Sequence, residues 1–289
     1  FQSGMAVLVS QYWGRGDTDN INRCIGVALY AVTGFSTVLA LITFFFPAQV
    51  LGLITPNQAL IDLATSYIQI VGFSYIFNGI SSIYAGVQRS TEYPAFGMFL
   101  FGISMCVNTF LNYVLIFGKF GAPALGVTGA AIATFTSRVV EFLVALGFAL
   151  CNRRLPLRPR YIFHPGSFIF RSFVKYSTPV VANEAMWSLG TSMLTVIMGH
   201  MENSQDMLAA YALIGSIDKL STVVCFGIAA SAAVIVGKEI GAGTDHKKVY
   251  EISWTLLLVS LMIGAGVMLL LLGLLPIFFQ PVLFPLFKL

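Results

Sequence analysis

The sequence predicts an all-α membrane protein: a multispanning helical bundle of two pseudo-symmetric lobes, incomplete at both ends. Three observations lead there. Apolar runs of about the twenty residues that a bilayer requires recur along the chain. Arg and Lys gather in every second connection between those runs. An apolar helix ending in G-x-G occurs twice, 227 residues apart. The composition agrees, with 57% hydrophobic and 10% charged residues and a mean hydropathy of +0.85. An average soluble domain is roughly 25% charged, and a soluble chain of 289 residues has no way to bury so much apolar surface.

The elements follow from short polar, Gly or Pro breaks. A partial span runs up to Tyr12, and full spans are expected at 20–46, 58–87, 93–117, 126–150, 168–198, 206–237 and 248–274, with a last apolar piece from Pro276 to Leu289. The first residues, with no positively charged leader among them, are expected to lie in the middle of a helix. The first connection carries Arg15 and Arg23, the third Arg89, the fifth the series from Arg153 to Lys175, and the seventh Lys238, Lys247 and Lys248. The alternate connections hold only Lys119. Positive charge marks the cytoplasmic side, so the segment 151–167, with Pro156, Pro159 and Pro165 among its arginines, reads as a cytoplasmic linker. It divides a first lobe, 1–150, from a partial second lobe, 168–289. The net charge of +4 does not point to nucleic acid. Four scattered cysteines and three separated histidines offer neither disulfide nor metal spacing.

The repeat sets FQSGMAVLVSQYWGRG (Phe1–Gly16) against IAASAAVIVGKEIGAG (Ile228–Gly243). Ala6, Val7, Val9, Gly14 and Gly16 meet Ala233, Val234, Val236, Gly241 and Gly243, and an acidic residue follows each copy, Asp17 or Asp245. Both copies end on the same side, as expected for lobes related by an axis along the membrane normal. Two such periods exceed this chain, so the sequence is expected to be a fragment of a twelve-span parent. G-x-G here is a helix-packing and turn element. The wider G-x-G-x-x-G pattern of a nucleotide loop is missing, and no strand precedes it.

Several strings resemble the multidrug and toxic-compound extrusion (MATE) family. GMAVLVSQYWGRGDTDNINR is similar to the family's second-helix signature, LNYVLIFGKFGAPALGVTGAAIATFTSRVVE to its fifth and sixth helices, and STPVVANEAMWSLGTSMLTVIMGHM with GIAASAAVIVGKEIGAG to helices seven and eight. The resemblance covers helix two to the start of helix ten. It implies helices two to six in 1–150, helices seven to nine and the start of ten in 168–289, and export of amphipathic, often cationic compounds by alternating access. The exported compounds would be small-molecule drugs or toxic organic cations, exchanged for Na+ or H+ by a monomer in the cell (inner) membrane. No ATP-binding loop appears, which leaves an ion gradient as the energy source, with no catalytic activity and no resident cofactor or metal.

Ionisable groups inside hydrocarbon are costly and usually face a cavity or a partner. Glu184, after Pro179 and Asn183, is the leading candidate for a cation or substrate site. It lies nearer the proline than the matching acidic residue of family members, and the competing reading is a Glu near the cytoplasmic end, hydrogen-bonded to Asn183 or snorkelling. Asn108 and Asn112 share a face at i, i+4. Family members with a first-lobe cation site carry Asp at the second position, so the charge is gone here and interhelical hydrogen bonding competes with ion ligation. Thr134 and Ser137 could face the same cavity. Arg138 and Glu141 are expected to form a structural pair between helices. Asp218 could attract cations while Lys219 points elsewhere, and Gln69, Tyr75 and Asn78 could line a passage. Abundant Phe and Met suit an adaptable pocket. Two rival functions remain at this level: a flippase for lipid-linked saccharides, which would have a more cationic cavity, and a seven-span receptor. An intramembrane enzyme lacks a nucleophile–base constellation.

Overall fold

The computed structural model describes residues 2–52, 58–121, 123–199, 201 and 204–274. These residues form ten helices and no strand: α1 (Gln2–Gly14), α2 (Thr18–Phe45), α3 (Pro47–Gly52), α4 (Gln58–Ser90), α5 (Ala95–Phe117), α6 (Gly126–Cys151), α7 (Pro159–Phe163), α8 (Ser167–Gly199), α9 (Ser204–Gly241) and α10 (His246–Leu274). The apolar piece expected from Pro276, and His200, lie outside the described residues.

Among the described residues six helices are long and apolar enough to cross a membrane: α2, most of α4, α5, α6, the Thr222–Gly241 part of α9 and the His246–Leu270 part of α10. These six are among the seven full spans expected, and α8 stands where the remaining one was expected. α8 is continuous over 33 residues, about 50 Å at 1.5 Å per residue. Its Pro179, Asn183, Glu184 and its Ser and Thr residues dilute the apolar content below that of the other six. The spans are apolar outward as well as inward. Met98, Phe99, Leu261 and Met262 are each more than 60% exposed, the arrangement expected where the solvent is lipid.

Burial concentrates around α1. Met5, Leu8 and Val9 pack with Ile21, Cys24, Ile25 and Ala28 of α2, Ile83 and Val87 of α4, and Ile169 and Phe173 of α8. α1 also packs closely on α9, and small residues permit this. A Cβ on Gly14 would lie 2.0 Å from the Lys238 carbonyl oxygen, and a Cβ on Gly241 would lie 2.0 Å from the Gln11 carbonyl oxygen. Gly14 and Gly241 are equivalent in the repeat, as are Gln11 and Lys238, so the contact is reciprocal. Between them Ser10 faces its own equivalent, Gly237, whose added Cβ would stand 2.1 Å from the Ser10 hydroxyl. Reciprocity of this kind is the mark of a two-fold relation. Because both helices end at the same level, the axis runs along them.

The repeat extends to the helix ends. Gly16 and Gly243 both take the left-handed conformation, at φ 72° and 75°. The Gly16 N–H donates to Trp13 O and the Asp17 N–H to Tyr12 O; the Gly243 N–H donates to Ile240 O and the Thr244 N–H to Glu239 O. This is the same Schellman cap, offset by the same interval. Asp17 then caps α2 by accepting from the Asn20 N–H at 3.0 Å.

The linker is strapped to α2. Leu155 is 1% exposed, Asn22 donates to Pro156 O at 3.2 Å and accepts the Arg158 N–H at 3.0 Å, and the Arg158 guanidinium pairs with Asp19. Arg23 lies over the Tyr161 ring and Arg154 over Trp13, each 5.0 Å from the ring centre.

Candidate cation and substrate site

Three polar features stand out on the long helices. The first joins α5 to α6. Asn112 donates to Asn108 Oδ1 at 3.0 Å, and Asn108 donates to Ser137 Oγ at 3.4 Å and Thr134 Oγ1 at 3.5 Å. The i, i+4 spacing stacks the two amides on one face, and α5 and α6 are close neighbours. Asn112 Oδ1 is buried without a partner. One turn along α6, Arg138 donates to Glu141 Oε2 at 2.5 Å. This pair, expected between helices, forms within α6, because i, i+3 already places the two groups side by side. Glu141 is fully buried, and its Oε1 has no partner. Unpaired amide and carboxylate oxygens of this kind are the ligands a hard cation takes.

The second feature is Glu184 on α8. It is exposed and accepts a hydrogen bond from Ser3 Oγ of α1 at 2.6 Å, a partner other than the Asn183 of the competing reading. α1 and α8 come close enough for this because position 4 is glycine: a Cβ there would stand 2.4 Å from Ser177 Oγ. The third is Asp218 with Lys219, both exposed on α9. Neither Glu184 nor Asp218 joins the Asn108 network.

An aromatic cavity of about 570 Å³ opens between α2, α4 and α6, lined by Phe44, Gln69, Ile70, Phe73, Phe77 and Phe135 among others. Phe77 meets Phe135 edge to face at 5.9 Å. Gln69 gives its amide to Phe44 O at 3.1 Å.

Sequence reasoning did not single out Ser3, Trp13 or Glu92, nor the pairing of Lys238. Glu92, between α4 and α5, accepts from Lys238 Nζ of α9 at 2.6 Å and from Trp13 Nε1 of α1 at 3.1 Å. It sits at φ 63°, in the position a Schellman cap normally gives to glycine: its N–H donates to Arg89 O, and the Tyr93 N–H to Gln88 O. The one signal in the sequence was the STEYP turn after a long span. The hydrogen bonds from Lys238 and then Trp13 hold the Glu92 carboxyl below the usual carboxylate range.

The MatE family model matches two segments, residues 1–114 and 179–283, together well over half of the chain. The chain belongs to the MATE family. Among curated proteins it is similar to an uncharacterized transporter, YisQ, of Bacillus subtilis, at 24% identity over 86% of this chain and 54% of the relative. It is also similar to the probable multidrug resistance protein YoeA of the same organism, at 24% identity over 83% of this chain and 52% of the relative. The chain spans about half the length of the curated relatives it matches. Among solved structures, the MATE multidrug transporter DinF-BH, solved in a ligand complex, superposes with a TM-score of 0.80 at 20% identity, over all of this chain and 62% of that one. An outward-facing MATE transporter gives 0.79 at 17% identity, over 95% of this chain and 59% of that one. An inward-facing one gives 0.69 at 16% identity, over 97% and 62%. These likenesses establish the MATE fold, an all-α multispanning bundle, in a multi-pass membrane protein.

Proposed function

We propose that the protein exports amphipathic compounds, many of them cationic, across the cell (inner) membrane, driven by entry of Na+ or H+ and by alternating access between two lobes. The observation that carries this reading is Glu184: a carboxylate on α8, linked by one hydroxyl to α1 and otherwise open. A proton, a sodium ion and an organic cation would compete for the same oxygens, and competition of that kind couples their movements. The aromatic cavity supplies the other half of the requirement, rings for the flat apolar body of a drug. The drug-resistance name of YoeA and the description of DinF-BH as a multidrug transporter point the same way. Asn108, Asn112 and Thr134 are proposed as a first-lobe cation site of neutral oxygens, with Asp218 drawing cations toward the α9 side.

In this reading the lobes are 1–150 and 168–289, the segment 151–167 is cytoplasmic, and the protein works as a monomer. Two matched segments of one family model favour the two-lobe division. The closed α1–α9 contact, at the level where Arg and Lys gather, is the sealed cytoplasmic side of an outward-facing state. The higher score against the outward-facing relative than against the inward-facing one supports that assignment.

The test is resistance of an exporter-deficient bacterium. Glu184→Gln, at equal membrane abundance, is expected to lower the minimum inhibitory concentration of cationic dyes about tenfold, while Asn183→Ala leaves it near wild type. In vesicles, dye efflux is expected to stop when the Na+ or H+ gradient is collapsed. Resistance unchanged by Glu184→Gln removes Glu184 from transport, and efflux that survives gradient collapse and requires ATP refutes the mechanism.

A further inference from the structure

Arg89, in the last turn of α4, and Lys219, near the middle of α9, line one cleft of about 340 Å³, with Thr222, Val223, Phe226 and Gly227 completing its wall. Among the described residues neither cation has an ion-pair partner, and no carboxylate lines the cleft. Asp218 precedes Lys219 directly, and the 100° turn per residue sends it round the helix away from its neighbour. The cleft shares no lining residue with the oxygen-rich cluster on α5 and α6 or with Glu184.

Two positive groups lining one cleft repel each other, and among the described residues neither has a counter-charge. An anion placed between them turns that repulsion into two attractions. The two side chains also divide the work: guanidinium offers a planar fork matched to phosphate or carboxylate, ammonium a compact charge. Thr222 adds a hydroxyl donor. The rest of the wall is apolar, with Val223 and Phe226 70% and 62% exposed, and it suits an alkyl or aryl body. We propose that this cleft binds amphipathic phosphates: a phosphate group held by Arg89 and Lys219, with its hydrocarbon against Val223 and Phe226. This goes beyond the export of cations, because it assigns the α4–α9 cleft to ligands of the opposite charge. The phosphate could belong to a soluble amphiphile or to a lipid headgroup, and the experiment separates the two.

Octyl phosphate, inorganic phosphate and octyltrimethylammonium are titrated into the purified protein in phosphatidylcholine nanodiscs, with binding read by microscale thermophoresis. Octyl phosphate is expected to bind more tightly than either of the others, and Arg89→Gln and Lys219→Gln each to weaken it about tenfold, the effect of losing one charge-assisted hydrogen bond. Arg89→Lys and Lys219→Arg, which keep the charge, should retain most of the affinity. Competition by phosphatidylglycerol nanodiscs assigns the cleft to a lipid headgroup, and undiminished binding there assigns it to soluble amphiphiles. Equal affinity for octyl phosphate and octyltrimethylammonium, or octyl phosphate affinity unchanged in both Gln variants, overturns the proposal.

Discussion

Gly14→Val and Gly241→Val are each expected to destabilise the α1–α9 contact severely. At both positions the added Cβ would stand 2.0 Å from a backbone oxygen of the facing helix, a distance at which no side-chain rotation brings relief. Overpacking a well-filled core costs about 1–3 kcal/mol. Here the obstacle is main chain, so the helices must separate, which gives up part of the packing around Met5, Leu8 and Val9 as well. The measurement is the melting temperature of the purified protein, followed by tryptophan fluorescence. A second readout is disulfide formation in a Ser10→Cys, Gly237→Cys pair, whose positions face each other across the two-fold. Each valine is expected to slow that cross-link by about tenfold, the effect of roughly 1.4 kcal/mol. Gly102→Val and Gly147→Val, where nothing lies within 4 Å of the added carbon, serve as controls and should change little beyond helix propensity. If the valines at 14 and 241 behave like those controls, the helices do not meet as described.

Most of the architecture was legible in the sequence because a bilayer leaves few options. A span needs about twenty apolar residues and must satisfy its own backbone, so the apolar runs and the breaks between them located the long helices, most of them within two residues at each end. α9 departs most. Lys238 and Glu239 read as the start of a loop, yet the helix continues to Gly241, since charges tolerate a last helical turn in water. α3 and α7 were missed because helices of six and five residues carry no period long enough to register. The repeat was visible as matching residues, and it proves to be a matching cap and a reciprocal contact. Gly16 and Gly243 reach positive φ without the steric cost that a side chain adds there, which favours glycine in both copies.

The polar contacts were less legible, for a physical reason. A residue's period says which face it occupies, but not which helix will lie opposite. Asn108 and Asn112 sit one turn apart, so their shared face could be read. Arg138 and Glu141 were also local, so the pair itself could be read from the i, i+3 spacing, though it forms within α6 and not between helices. Ser3 and Glu184 are separated by 181 positions, and Glu92 and Lys238 by 146, and nothing in either segment names the other.

The Glu92 junction leads to the second large expected effect, a shift in how tightly the proposed cytoplasmic side stays closed. Glu92 joins three elements at once: its own turn, Trp13 on α1 and Lys238 on α9. The Lys238 and Glu92 side chains are 39% and 41% exposed, so solvent screens the ion pair, and an exposed pair alone contributes about 0.2–1 kcal/mol. Together with the Trp13 hydrogen bond the junction still biases the closed arrangement several-fold. Spin labels at Tyr93→Cys and Lys248→Cys, read by pulsed electron resonance, are expected to show a larger long-distance population in Glu92→Gln and Lys238→Glu, and recovery of the short distance in the charge-swapped pair Glu92→Lys, Lys238→Glu. The pH dependence follows from the direction of the shift. A carboxyl whose value is lowered in the closed state stabilises that state at every pH above its ordinary value of 4.5. The contribution is lost only as pH falls through the lowered value. The closed population carried by this residue should therefore be flat from neutral pH down to about 5 and decline below the ordinary carboxylate range, with Glu92→Gln abolishing the decline. Protons at physiological concentration would then act elsewhere, and the junction would be released by motion of α1 and α9. A midpoint between pH 6 and 7 that vanishes in Glu92→Gln would reverse this order and make Glu92 itself the proton sensor.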